Sequence, residues 1–202
     1  MNSVVISGHS RNIGKTSVMA GLIRRLRPPE WVAAKITQYG QSFCSLDGEP
    51  CSCSPGEHAF VLSEERERNG RGDTRRFLQS GARRSLWLRV RQGQLHRGLP
   101  ALLRALRREE WAMIESNSIL DHINPALCLF VLDPVRNDFK ASALKHLDRA
   151  DAFIQVGTAS YQHSWPGVNR DIISSKPMFS LSRVDEISEE LINFVREKLA
   201  LR

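Results

Sequence analysis

The sequence predicts an α/β fold, a mostly parallel central sheet with helices on both faces. Three observations predict it. Short apolar segments alternate with amphipathic stretches along most of the chain. The first apolar segment passes through a glycine-bounded loop directly into a helical stretch. Two later segments end in a carboxylate, Glu115 and Asp133, as strands do where a parallel sheet presents its ligand-bearing edge.

Val4-Val5-Ile6 is a β-branched strand segment. Residues 16–26 set apolar side chains at 18, 19, 22, 23 and 26 on one helical face, and Pro28 and Pro29 end that helix. A second strand covers 31–36. Residues 37–72 are expected to be an irregular, cysteine-containing insertion, with a charged helix-like stretch near 57–68. Asp73 is placed as the N-cap of a short helix through Gln79, stopped at Gly81. A third strand spans 85–90. Residues 95–107 align Leu95, Leu99, Leu102, Leu103 and Leu106 on one helical face, with Pro100 disturbing the start. Strands at 111–114 and 127–132 follow, ending at Glu115 and Asp133. A helix over 139–147, a strand at 152–156, an irregular aromatic-bearing loop, a short strand at 178–181 and an amphipathic helix at 187–199 complete the chain. No internal repeat divides it, so residues 1–202 are expected to form one domain.

Composition narrows the function. At 202 residues, with 41% hydrophobic and 25% charged positions, the chain can bury a core without disulfides. Its longest apolar runs fall well short of ~18 residues, so no membrane-spanning helix is expected. Strand-like sequence begins by Ser3, which leaves no room for a secretory leader, and the expected location is the cytoplasm. The net charge is +7, and 23 of the 29 basic residues are arginine. These arginines are spread along the chain. That argues against nucleic acid and for a solvated basic surface with a pocket for a smaller polyanion.

Gly8-His-Ser-Arg-Asn-Ile-Gly14-Lys15-Thr16 stands between the first strand and the first helix, the context a P-loop requires. There backbone N–H groups surround phosphate at a helix N-terminus, where unpaired donors and the macrodipole favour negative charge. Gly8, Arg11, Asn12, Ile13, Gly14, Lys15, Thr16 and Ser17 are the candidate nucleotide-binding residues. Gly14 permits close backbone approach, Lys15 would neutralise the β/γ oxygens, and the Thr16 hydroxyl would hold Mg²⁺. Arg11 and Asn12 lie at the loop apex. Five residues separate Gly8 from Gly14; the usual four would need glycine at His9. Glu115 ends its strand as a Walker B carboxylate does, able to serve Mg²⁺ or orient an attacking group, with Asp133 as its rival. Lys15 and Glu115 are the candidate catalytic residues.

These residues carry a resemblance. The five-residue gap between Gly8 and Gly14, closing in Ile-Gly-Lys-Thr, is similar to the loop of dethiobiotin synthetase and cobyrinate-type ligases. Lys35-Ile-Thr-Gln-Tyr-Gly40 resembles the Lys-Pro-x-x-x-Gly segment of dethiobiotin synthetase, without its proline. Asp73-Thr-Arg-Arg, followed by Gly81-Ala82, and the strand ending at Glu115 look like the corresponding order in the MobB family of molybdopterin-guanine dinucleotide biosynthesis. The resemblance covers roughly residues 3–120. It implies a P-loop NTPase that binds GTP or ATP with Mg²⁺, hydrolyses it slowly, forms a homodimer and assists cofactor assembly with a small-molecule or protein partner. By the same resemblance Thr16 and Glu115 serve Mg²⁺, Lys35 helps hold substrate, and Asp73 lies near the site. Ser116-Asn117 replaces the family's glycine after the glutamate, and no Asn/Thr-Lys-x-Asp guanine-reading motif is present, so the base stays open. The alternatives are a carboxylate-activating ATP-dependent ligase and a nucleotide-switched metallochaperone.

Cys44, Cys51, Cys53 and His58 supply three thiols and an imidazole within fifteen residues among glycines and prolines. That set suits tetrahedral Zn²⁺ in a bracing role, because four protein ligands leave no open position. Reduced loop thiols are the alternative. Cys128, in an apolar run, is expected to pack in the core, as are Trp87 and Trp111. Trp165 is placed in a loop within reach of a ligand. The other histidines, His9, His96, His122, His146 and His163, show no ligand spacing.

Overall fold

The computed structural model describes residues 2–27, 29–40, 59–157 and 165–201. Its elements run β1 (Asn2–Gly8), α1 (Lys15–Arg25), β2 (Val32–Tyr39), β3 (Phe60–Glu65), α2 (Asp73–Gln79), β4 (Arg84–Arg91), α3 (Leu95–Leu106), β5 (Trp111–Glu115), β6 (Leu127–Leu132), α4 (Ala141–Leu144), β7 (Ala152–Val156), α5 (Arg170–Ser174), β8 (Met178–Leu181) and α6 (Glu189–Leu199). The strands form one sheet in the order β3-β4-β2-β5-β1-β6-β7-β8. Among the described strands only β3 is antiparallel to its neighbour. The mostly parallel α/β architecture is therefore as expected.

Alternation along the strands assigns the two faces. Val4 and Ile6 of β1 pack with Val18, Leu22 and Ile23 of α1, Phe77 of α2 and Leu191 and Val195 of α6. Val5 points the other way, into the cluster of Leu95, Leu99 and Leu102 on α3. Further along that second face, Phe130 and Leu132 of β6 meet Ala143, Leu147 and Ile173. Central strands buried on both faces explain the near-continuous apolar runs of β1 and β6.

The register positions the site. Trp87 of β4 is opposite Lys35 of β2, which is opposite Glu115 of β5, which is opposite Ile6 of β1. Neighbours at one level of a sheet project to the same face, so an indole, an ammonium and a carboxylate stand in one row, at the middle of β4 and β2 and at the C-terminal end of β5.

Several expectations are corrected. The charged stretch read as helix-like is strand β3, paired with β4 through residues 60–65. Pairing overrides its helical composition: Glu64 takes two hydrogen bonds from Arg84, at 2.8 and 2.7 Å, across the strand pair. Asp73 is the first residue of α2 rather than its cap. Gly72, at φ +140°, is the N-cap, and the Asp73 carboxylate turns to Lys35. The helix expected over 139–147 shrinks to α4 and a 3₁₀ turn at Leu147–Arg149. Its intended first turn is drawn to the loop after β1, where the Asp138 carbonyl accepts from His9 and Lys140 N–H donates to His9 O at 2.9 Å. Helix α5 forms inside the segment read as irregular, capped by Asn169, whose side chain accepts from Asp171 N–H. Helix α3 passes through Pro100 without interruption.

Gly98 of α3 shows how tightly the β3–β4 edge is held. A Cβ there would lie 2.8 Å from Leu88 Cδ1, 2.9 Å from Phe60 Cβ and 2.9 Å from Val90 Cγ1. Gly98→Ala is expected to lower stability by about 1–2 kcal/mol, because overpacking outweighs the helix-propensity gain. Urea unfolding measures it; an unchanged or raised midpoint would show that α3 can lift from the sheet without cost.

Candidate functional site

Loop 8–16 leaves β1 at the C-terminal edge of the sheet and enters α1 at Lys15. Gly8 is obligatory there, since a Cβ would meet Val131 O at 2.9 Å and Ile13 Cδ1 at 2.9 Å. Asn12 and Gly14 adopt positive φ, +57° and +92°, which turns the chain into the helix. Ile13 is buried and anchors the turn, while Arg11 and Asn12 are exposed at the apex.

Two neighbouring loops hold this one. Asn117 Nδ2 donates to Gly8 O at 2.9 Å, and its Oδ1 accepts from Gly8 N–H at 3.0 Å and from the Ser7 hydroxyl at 3.0 Å. On the other side His9 is fully buried against Phe139 and Trp165, at ring separations of 5.3 and 4.9 Å. Asp133 N–H donates to His9 Nε2 at 3.0 Å, so Nδ1 carries the proton and donates to Asp138 O at 2.8 Å. Burial pushes the His9 imidazole below its ordinary pKa, against the pull of the Asp138 carbonyl and carboxylate. The Ser10 hydroxyl donates to the Asp138 carboxylate. A loop fixed in this way is preorganised and loses little freedom when it meets a ligand.

Thr16, Lys35, Asp73 and Glu115 converge. The Thr16 hydroxyl donates to Glu115 Oε2 at 2.7 Å. Lys35 Nζ donates to Asp73 Oδ2 at 2.6 Å, Glu115 Oε1 at 3.0 Å and Thr16 Oγ1 at 3.3 Å. Burial opposes the charge on Lys35, yet Glu115 and Asp73 together raise its pKa above the ordinary lysine value. An ammonium thus sits among two carboxylates and a hydroxyl, a hard-oxygen donor set of the kind that Mg²⁺ accepts. Asp133, the rival carboxylate, is not in this cluster; its Oδ1 accepts from Val135 N–H at 2.9 Å.

Lys15 is placed differently. Its ammonium donates to the Ser10 carbonyl. Burial pushes it down to about 8, with Glu115 opposing and Lys140, Lys35 and Arg11 adding to the fall. Lys140 is lowered too, by burial and then by Arg11. Lys15, Lys140 and Arg11 therefore crowd the loop, offset only in part by Glu115 and Asp138, which favours a polyanion there.

The sequence did not reveal His9, Asn117, Lys140 or Arg76 as parts of this site. Arg76 Nη2 donates to Ser17 Oγ at 3.0 Å and ties α2 to the first turn of α1. The only signals were the departures themselves: histidine where a shorter loop has glycine, and Ser116-Asn117 after the glutamate. Trp87 is not core but half-buried, with Nε1 donating to Thr37 Oγ1 at 3.0 Å. Trp165 is buried and supports His9 rather than standing open to a ligand. Cys128 is buried as expected, its thiol pushed up to about 12 by burial and by Asp151. Cys44, Cys51, Cys53 and His58 lie outside the described residues, among which no His/Cys/Asp/Glu group is arranged to hold a metal through three such ligands. Among the described residues no helix is long and apolar enough to cross a membrane.

No protein-family model matches the chain, and no curated protein matches it. Among solved structures it is similar to the MinC:MinD cell division protein complex of Aquifex aeolicus, at 12% identity and a TM-score of 0.40, over 98% of this chain and 86% of that one. A likeness at that level says nothing about activity.

The lowered pKa of Lys15 makes a stability prediction. A lysine at about 8 in the folded chain and near 10.5 when unfolded disfavours folding while it is charged in the native state, below about pH 8, and the penalty fades as pH rises toward 10.5. Lys15→Met is therefore expected to stabilise the ligand-free protein at pH 7 by roughly 1–3 kcal/mol. The advantage should shrink as the pH is raised through that window. Thermal melts at several pH values test it, and a variant less stable than wild type at pH 7 would contradict the burial of this charge.

Proposed function

We propose that the chain binds a nucleoside triphosphate with Mg²⁺ on loop 8–16 and hydrolyses it slowly, in the manner that its resemblance to the MobB family implies. The observation that carries this reading is the hydrogen bond from Thr16, the residue after Gly14-Lys15, to Glu115 at the end of the adjacent parallel strand. An unrelated glycine-rich turn has no reason to face a carboxylate there. Gly8 and Gly14 let the backbone approach phosphate, Lys15 exchanges the Ser10 carbonyl for a phosphate oxygen, and Ser17, steadied by Arg76, follows in the first turn of α1. Thr16 and Glu115, with Asp73 beside them, are the residues that would hold Mg²⁺. The ion, when bound, neutralises charge on the phosphates. Glu115 also orients the attacking group. GTP and ATP are both compatible with these residues, and a homodimer and a role in cofactor assembly belong to the same proposal.

Lys35 favours a second reading, phosphoryl transfer to a carboxylate. Its ammonium belongs to the cluster and also lines a pocket on the other side. In that reaction a carboxylate oxygen attacks the terminal phosphorus and the bond to the bridging oxygen breaks. The nucleoside diphosphate leaves with the electron pair, an acyl phosphate forms, and no proton moves. The metallochaperone reading and the zinc brace rest on the sequence spacing of Cys44, Cys51, Cys53 and His58 alone.

Calorimetric titration with ATP and with GTP, each with Mg²⁺, tests the leading reading. At least one nucleotide is expected to bind, and Lys15→Ala should weaken it roughly a hundredfold through loss of charge-assisted bonds to phosphate. Wild-type affinity in that variant would refute the assignment of loop 8–16. Hydrolysis that needs no acceptor supports the MobB-like reading; turnover only with an added carboxylate supports transfer.

A further inference from the structure

The pocket beyond Lys35 has a character of its own. Lys35, Glu65, Arg71, Asp73, Arg75 and Trp87 are among its walls, and its volume is about 250 Å³. That lies just below the ~300–1,000 Å³ of ordinary ligand pockets, so its occupant is small.

Most of its charges are already matched. Lys35 is paired with Asp73 at 2.6 Å, and Arg75 with Glu65 at 3.4 Å. Glu65 also accepts from the Thr74 hydroxyl at 3.1 Å, which fixes the wall between β3 and α2. Arg71 is exposed at the pocket and makes no polar contact among the described residues. An exposed guanidinium presents a fork that fits a carboxylate. Trp87 supplies the apolar wall. Its only polar atom is satisfied by Thr37, and the Arg89 guanidinium lies over the ring, 4.5 Å from its centre. An aromatic surface backed by a cation favours a flat, electron-rich or anionic partner.

We propose that this pocket binds a small carboxylate attached to a flat ring, the carboxylate toward Arg71, on the side of the pocket that Lys35 lines, and the ring against Trp87. The site deepens the transfer reading, since Lys35 Nζ is 3.3 Å from Thr16 Oγ1 and a carboxylate beside it borders the phosphate end of loop 8–16. Binding itself needs no nucleotide. A carboxylate without a ring forgoes Trp87, and a ring without a charge forgoes Arg71. Both are expected to bind weakly.

The test is ligand-observed NMR on nucleotide-free protein with a defined panel. The panel contains benzoate, nicotinate and indole-2-carboxylate, with benzamide and nicotinamide as uncharged counterparts and acetate and butyrate as ringless ones. The ring carboxylates are expected to bind, and Arg71→Ala, an exposed position that leaves the core untouched, should weaken them about tenfold. Trp87→Leu, checked for folding by its thermal melt, should weaken them as well. Equal binding of the amides, wild-type affinity in Arg71→Ala, or no binding by any ring carboxylate would overturn the proposal. Nucleotide titrations on the same protein separate the two readings. Nucleotide binding without ring-carboxylate binding removes the pocket's role alone, whereas the reverse removes the nucleotide reading and leaves the pocket.

Discussion

Four elements of this protein meet at one ammonium group. Lys35 of β2 holds Asp73 at the start of α2, Glu115 at the end of β5 and Thr16 in the first turn of α1, all within 3.3 Å. Lys35 and Glu115 are largely buried and would be costly there without partners, and with Thr16 and the half-exposed Asp73 they are satisfied. The rest of the architecture keeps the arrangement in place. The parallel register puts Lys35 beside Glu115, α1 must begin where Gly14 turns the chain, and α2 must start at Asp73 rather than be capped by it.

The loop before α1 is built on the same logic with the opposite charge. Asn117 closes both backbone groups of Gly8, and His9 is held between the backbone groups of Asp133 and Asp138. These contacts hold the loop in place, while the charges of Lys15 and Lys140 are offset only in part by Glu115 and Asp138. The Lys15 ammonium donates to the Ser10 carbonyl, and burial, with the nearby cations and against the pull of Glu115, takes its pKa down to about 8. An anion bound beside Lys15 would recover the stability that burying its charge gives up.

The large features of the fold were legible because they depend on local pattern. Apolar runs gave the buried strands β1 and β6, and glycines at 8 and 14 around a Lys-Thr pair marked the loop. Lys35, Asp73 and Glu115 could each be singled out one at a time, but that they share one ion cluster is a consequence of register, which no short window contains. Strand β3 was misread because Glu64 and Glu65 suit a helix, and only pairing with β4 decides otherwise. The helix over 139–147 was overextended because His9, far away in sequence, competes for its first turn. Asn117 and His9 looked like departures from a motif and are instead the contacts that fix it.

The central claim is that the Thr16–Glu115 pair is the place for a divalent cation delivered with a nucleotide. Electron paramagnetic resonance of Mn²⁺, titrated into the protein with and without nucleotide, measures this directly. Mn²⁺ should bind tightly only when nucleotide is present, and Thr16→Val should weaken that metal binding while the nucleotide still associates. Metal binding that is indifferent to both the nucleotide and the Thr16 hydroxyl would contradict the account.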